Sequence, residues 1–208
     1  MSWDGGSAVP RAADNKRSRR LTPAEHKRLG DVLREADDQI YQAREGLWLL
    51  ALTGARISEI EGLEWMAISK RAAVLEDTKT GLSLRPFTEV MRDVFQRVTK
   101  SNQNKYVLRG FRSSVGHYGG LDSAVGRLTK RAALQDITAH TLRHSFASVG
   151  NDLGYTESTI GAIIGHETHS ITADYIHHLD PVLVAAANKI ANEVYRQMLE
   201  GTDINLEL

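Results

Sequence analysis

The sequence predicts a mainly α-helical domain with a small antiparallel β-sheet on one edge, an α+β arrangement. Three observations point there. Apolar residues recur at helical spacing along most of the chain, while between Trp65 and Phe87 the pattern shortens to β-type runs. A TKTG turn, Thr78 to Gly81, separates the last two of those runs. A chain of 208 residues can bury one core of ordinary size.

Residues 1–20 hold few apolar side chains and no periodicity, so a flexible basic arm or a remnant outside the fold is expected there. The folded unit is expected over 21–200, and 201–208 is expected to be a tail. Thr22-Pro23 opens the first helix, with Thr as N-cap and Pro at the first helical position, and Leu29, Val32 and Leu33 follow at helical spacing. An apolar helix around Leu47, Leu50 and Ala51 stops at Gly54. Ser58 and Glu61 then read as a capping box that starts a short helix.

The runs MAIS, AAVLED and LSLRPF are expected to form the sheet, with Lys79 at a hairpin tip. Val90, Met91, Val94, Phe95 and Val98 make one helical stripe, and Leu121, Val125, Leu128 and Ala132 make another. The glycine-rich span from Gly110 to Gly120 is a loop. Thr138 caps the helix that carries HTLRHSFAS. On it, His140, Arg143 and His144 project from one side, and Leu142, Phe146 and Val149 project toward the core. The last helix opens at Asp180-Pro181 and carries Leu183, Ala187, Ile190, Val194 and Met198 as an apolar stripe. That stripe either packs on its own domain or docks on a neighbour.

Composition narrows the function classes. No apolar run approaches the ~18 residues of a membrane span, and the N-terminus lacks the apolar core of a secretory signal, so a cytoplasmic protein with no membrane partner is expected. The absence of cysteine excludes disulfides, thiol catalysis and cysteine-ligated zinc. Net charge is zero, but Arg11, Lys16, Arg17, Arg19, Arg20, Lys27 and Arg28 crowd the N-terminal end, where they can touch phosphates or simply be solvated.

Two segments carry chemistry. The stretch IGHETHSITADYIHH, Ile164 to His178, sets four histidines around one tyrosine, and HTLRH sets two histidines four apart. A metal site is disfavoured. Thr141 stands where an HExxH zinc helix needs its general-base Glu, Arg143 would put a fixed cation beside the metal, and the adjacent His177 and His178 cannot point the same way on a helix. Arg, His, Lys and Tyr together suit metal-free phosphoryl transfer instead. Two arginines can hold the equatorial oxygens of a phosphodiester, and a tyrosine hydroxyl can attack once a histidine takes its proton. A lysine can protonate the departing oxygen.

The chain resembles the catalytic domain of the tyrosine recombinase, or phage integrase, family. TGARISEIEGLEW resembles the family's first arginine motif, TKTG its hairpin lysine, HTLRHSFAS its HxxRH motif and IGHETHSITADYIHH its GH...Y motif. All four occur in the family's order, with His166 23 residues after Arg143 and Tyr175 nine after His166. The resemblance covers about residues 21–198.

Position by position, it implies that Arg56 and Arg143 clamp the scissile phosphate and that Lys79 is the general acid for the 5′-oxygen. His140 would assist proton transfer, His166 would hydrogen-bond the phosphate, and Tyr175 would form a 3′-phosphotyrosyl link. Glu59 would orient its neighbours, and His144 and His177 would be secondary contacts. Lys70 is a rival to Lys79, and Tyr155 and Tyr195 are rivals to Tyr175, although Tyr155 follows a helix-ending Gly and Tyr195 belongs to the last helix. The implied function is site-specific recombination of double-stranded DNA without cofactor, metal or ATP. The implied partner arrangement is a homo-oligomer, a tetramer on DNA, coupled through the C-terminal helix.

Two other readings stay open: a type IB topoisomerase-like nicking-closing activity, and a DNA-binding or assembly module that does not turn over. Family members usually carry a further helical DNA-binding domain ahead of the catalytic one, and twenty residues are too few for it. The chain is therefore expected to be either a fragment or a stand-alone member.

Overall fold

The computed structural model describes residues 19–69, 72–77, 81–98, 104–111, 116–165 and 181–201. In chain order these form α1 (Pro23–Glu35), α2 (Tyr41–Thr53), α3 (Ile57–Glu61), a 3-10 turn (Trp65–Ala67), β1 (Ala72–Asp77), β2 (Gly81–Pro86), α4 (Glu89–Arg97), α5 (Leu121–Arg131), α6 (Ala139–Asp152), α7 (Glu157–Ile164) and α8 (Pro181–Glu200). The predicted class holds: among the described residues helices dominate, and a two-stranded antiparallel sheet stands beside them.

The core is built around α2. Its residues Leu47, Leu49, Leu50 and Leu52 are all fully buried, as expected of a helix apolar on every side and surrounded by others. Helices α4, α5, α6 and α8 pack on it. Helix α1 begins as the sequence predicts: Thr22 Oγ1 accepts the Glu25 N–H at 3.3 Å, and Glu25 Oε2 accepts the Thr22 N–H at 2.9 Å. Leu21, just before it, donates its N–H to Ser145 Oγ on α6 at 2.8 Å, which fixes where the described chain enters the domain.

The stripe on α8 is used at home. Ala187, Ile190, Val194 and Met198 are buried, Leu183 packs against the same core, and α8 lies along α1. Of the two roles the sequence allows for this stripe, packing on its own domain is the one observed. Among the described residues, no helix is long and apolar enough to cross a membrane.

Two local expectations are corrected. MAIS does not form a strand: Trp65–Ala67 is a 3-10 turn, and only Ile68 makes an isolated bridge, to Ala73. The backbone here is already paired elsewhere, because Trp65 N–H donates to Lys105 O and Val107 N–H donates to Leu63 O, each at 2.9 Å. The capping box of α3 also lies earlier than predicted. Its N-cap is Arg56, whose N–H donates to Glu59 Oε2 at 2.7 Å. Gly54 ends α2 so sharply that the next helix starts before Ser58, and Glu61 instead accepts the Leu121 N–H at 3.0 Å, capping α5.

Candidate functional site

The site forms where the corner between α2 and α3 meets α6 and the strand β2. Gly54 closes α2 in the left-handed conformation, with φ of 61°. A side chain there would also strike the core, because a Cβ would lie 2.9 Å from Phe146 Cδ1. The chain therefore turns tightly against α6, and Arg56 emerges two residues later, half-buried, with extended backbone.

Arg56 is held by Glu59, whose carboxylate is fully buried. Glu59 Oε2 accepts the Arg56 backbone N–H at 2.7 Å, and Oε1 accepts Arg56 Nη1 at 3.0 Å. The same Oε1 accepts Arg85 Nη2 at 2.5 Å from the interior side. Glu59 thus orients Arg56, in keeping with the sequence expectation. The sequence does not single out Arg85, since Ser83 and Arg85 alternate with Leu82 and Leu84 and read as the solvent side of a strand. No signal within that segment marks it as buried.

On α6, Thr138 caps as predicted, its Oγ1 accepting the Thr141 N–H at 3.2 Å. The expected polar face is divided. His140 is exposed and His144 half-buried, but Arg143 is only 5% exposed and turns inward, where its Nη1 donates to the Gly54 carbonyl at 2.6 Å. The expectation that all three project from one side, away from the core, is corrected for Arg143. It sits at the border of that face, and the C-terminal end of α2 offers a carbonyl that a guanidinium can satisfy.

His140 and His144 approach Nε2 to Nε2 at 2.7 Å with their rings nearly perpendicular, at 82°. In such a contact one nitrogen carries the proton and the other accepts it. Burial lowers the His144 pKa, and the neighbouring His140 and Arg143 lower it further. This pair can pass a single proton. Among the described residues, no three His, Cys, Asp or Glu side chains converge to hold a metal ion.

Helix α7 ends at Gly165, again left-handed with φ of 70°. A Cβ there would lie 1.7 Å from Arg85 Nη1, so the Arg85 guanidinium rests directly on this backbone. Gly165 immediately precedes His166.

The structure therefore brings together Arg56, Glu59 and Arg143, with His140 on the same helix as Arg143. Lys79, His166 and Tyr175 lie outside the described residues, as do Lys70 and His177. The strand ends that flank Lys79 are described, with Asp77 paired to Gly81. Of the rival tyrosines, Tyr195 packs on Trp48 with ring centroids 5.7 Å apart, and Tyr155 is half-buried against the core. Both are occupied in packing.

Residues 19–181 match the model of the phage integrase family. The fold is similar to that of a lambda integrase dimer bound to a COC′ core site (TM-score 0.59, 19% identity, covering 80% of this chain and 66% of that one). It is also similar to XerA recombinase (TM-score 0.59, 22% identity, 80% and 61%). The lambda integrase catalytic core is matched over nearly its whole length (TM-score 0.56, 19% identity, 72% and 96%). The chain thus spans about two thirds or less of the first two proteins and almost all of the isolated core. No curated protein matches the sequence.

Proposed function

The chain belongs to the phage integrase family, and from that premise we propose that it cleaves and rejoins DNA strands through a covalent tyrosine intermediate, as the catalytic domain of a site-specific recombinase. The observation that carries the reading is the bond from Arg143 Nη1 to the Gly54 carbonyl, which joins the two arginine motifs at one corner of the domain.

In this reaction Arg56 and Arg143 hold the non-bridging oxygens of the scissile phosphate and oppose the charge that grows on them. Tyr175 attacks phosphorus, forming a 3′-phosphotyrosyl ester as the bond to the 5′-oxygen breaks. Lys79 delivers a proton to that oxygen, and His140 assists proton transfer, for which the His140–His144 contact supplies a route. His166 hydrogen-bonds the phosphate. Attack by the 5′-hydroxyl of a partner strand reverses each step and restores a phosphodiester. One ester replaces another throughout, so neither a metal ion, ATP nor another cofactor is required.

Double-stranded DNA is the partner this chemistry needs. Assembly as a tetramer on DNA goes with the reading, and DNA-bound lambda integrase has been seen as a dimer and a tetramer. With the apolar stripe of α8 buried in its own domain, coupling between protomers through this helix falls to its exposed face or to the residues after it.

A nicked duplex that loses its 5′-hydroxyl fragment on cleavage tests the proposal. The protein should accumulate a covalent DNA adduct, unaffected by a strong chelator. Binding without adduct would mark a non-catalytic module. Relaxation of supercoiled plasmid without strand exchange would mark a nicking-closing enzyme.

A further inference from the structure

Glu59 is contacted from two sides by guanidinium groups of different exposure. Arg56 approaches at 3.0 Å with its side chain 35% exposed, whereas Arg85 approaches at 2.5 Å with its side chain 3% exposed. Both salt bridges end on the same oxygen, Oε1. Two positive charges and one negative leave the trio with a net charge of +1, and its solvent-facing member is Arg56.

Stability alone does not call for Arg85. A buried ion pair costs desolvation that its attraction barely repays, and an apolar pair of similar volume packs as well or better. Its electrostatic consequence is larger. In a poorly screened interior, a carboxylate with one guanidinium partner would hold that partner as a neutral pair. Arg85, filling the inner side of Glu59, removes that demand on Arg56. The same guanidinium lies on the backbone of Gly165, where an added Cβ would come within 2.3 Å of Arg85 Cζ. It thus touches both the segment that presents Arg56 and the residue that leads into His166.

We infer that Arg85 is a positioning residue that neutralises Glu59 from within, so that Arg56 brings its charge undiminished to the scissile phosphate. The inference rests on the strand-transfer reading above. It assigns Arg85 no contact with DNA, and its effect passes through Glu59 and Arg56 to the charge on the phosphate.

The test compares adduct formation by wild type and Arg85→Gln on two nicked duplexes, one with an ordinary phosphodiester at the cleavage point and one with an uncharged methylphosphonate. Arg85→Gln should be slower by about 30-fold on the phosphodiester, a fraction of what losing a direct donor costs, and by no more than about threefold on the methylphosphonate. Equal slowing on both would show a purely structural role and overturn the inference.

Arg85→Lys keeps the charge and should stay within about threefold of wild type on both substrates. If the Gln variant does not fold, Arg85→Met, which also removes the charge, is compared on the two duplexes in its place, and a loss shared equally by both substrates is again the overturning result. Wild type that forms no adduct on either duplex would defeat the strand-transfer reading and this inference together. A wild-type adduct with equal slowing in the variants would defeat the inference alone.

Discussion

Arg143 Nη1 donates to the Gly54 carbonyl at 2.6 Å, so one guanidinium anchors the corner from which Arg56 projects. In the proposed reaction Arg143 therefore has two tasks, holding the corner and meeting the phosphate. Arg143→Ala should lower the rate of adduct formation by at least ~100-fold, about 2.7 kcal/mol, the lower range for loss of one preorganised donor. Arg143→Lys should recover little, because an ammonium lacks the planar fork. A rate for Arg143→Ala within threefold of wild type would remove it from the clamp.

Gly54 is needed both for its backbone and for the space beside it. Gly54→Ala should destabilise the fold by at least ~1–2 kcal/mol, the cost of a side chain in the left-handed region, with crowding against Phe146 and Ile164 added. Urea unfolding measures it. Adduct formation should fall as well, because the displaced carbonyl is the one Arg143 holds.

Loss of the Glu59 carboxylate should be more severe. Glu59→Gln removes the carboxylate that Arg85, itself 2% exposed, pairs with, and should cost about 3–5 kcal/mol in urea unfolding. Arg85→Met in the Glu59→Gln background removes both buried charges and should restore most of that stability. Additive losses in the double variant would show that the two residues are not coupled.

His26 makes stability depend on pH. It is buried between α1 and α8, with Nδ1 2.7 Å from Gln197 Oε1, and burial lowers its pKa below the ordinary 6.5. Above that value both folded and unfolded chains carry it neutral. Below it the unfolded chain takes up a proton that the folded chain resists, so stability is lost as pH falls. His144 acts in the same direction. Glu25, held down to about 2 chiefly by its hydrogen bond with Arg19, acts only at lower pH. Melting temperature measured from pH 7.5 down to about 5 should fall less steeply in His26→Gln than in wild type. Parallel curves would refute the assignment.

Much of the fold was legible because local chemistry decides it. Thr22-Pro23 starts α1, Gly54 stops α2, and the apolar periodicity of α4 and α5 survives in their burial. The misread elements depend on distant partners. MAIS reads as a strand until the backbone around Lys105 takes up Trp65, and Arg143 sits on a helix face whose neighbour, Gly54, lies 89 residues away. Arg85 was invisible for the same reason, since what buries it is Glu59 on one side and Gly165 on the other. Lys79, His166 and Tyr175 rest on motif order and spacing.

The central claim is that Tyr175 is the nucleophile. Adduct trapped on a nicked duplex, digested with protease and sequenced by mass spectrometry, tests it most directly. The nucleotide should be found on the peptide containing Tyr175, and Tyr175→Phe should yield no adduct. Recovery of the nucleotide on Tyr155, on Tyr195 or on a histidine would contradict the account.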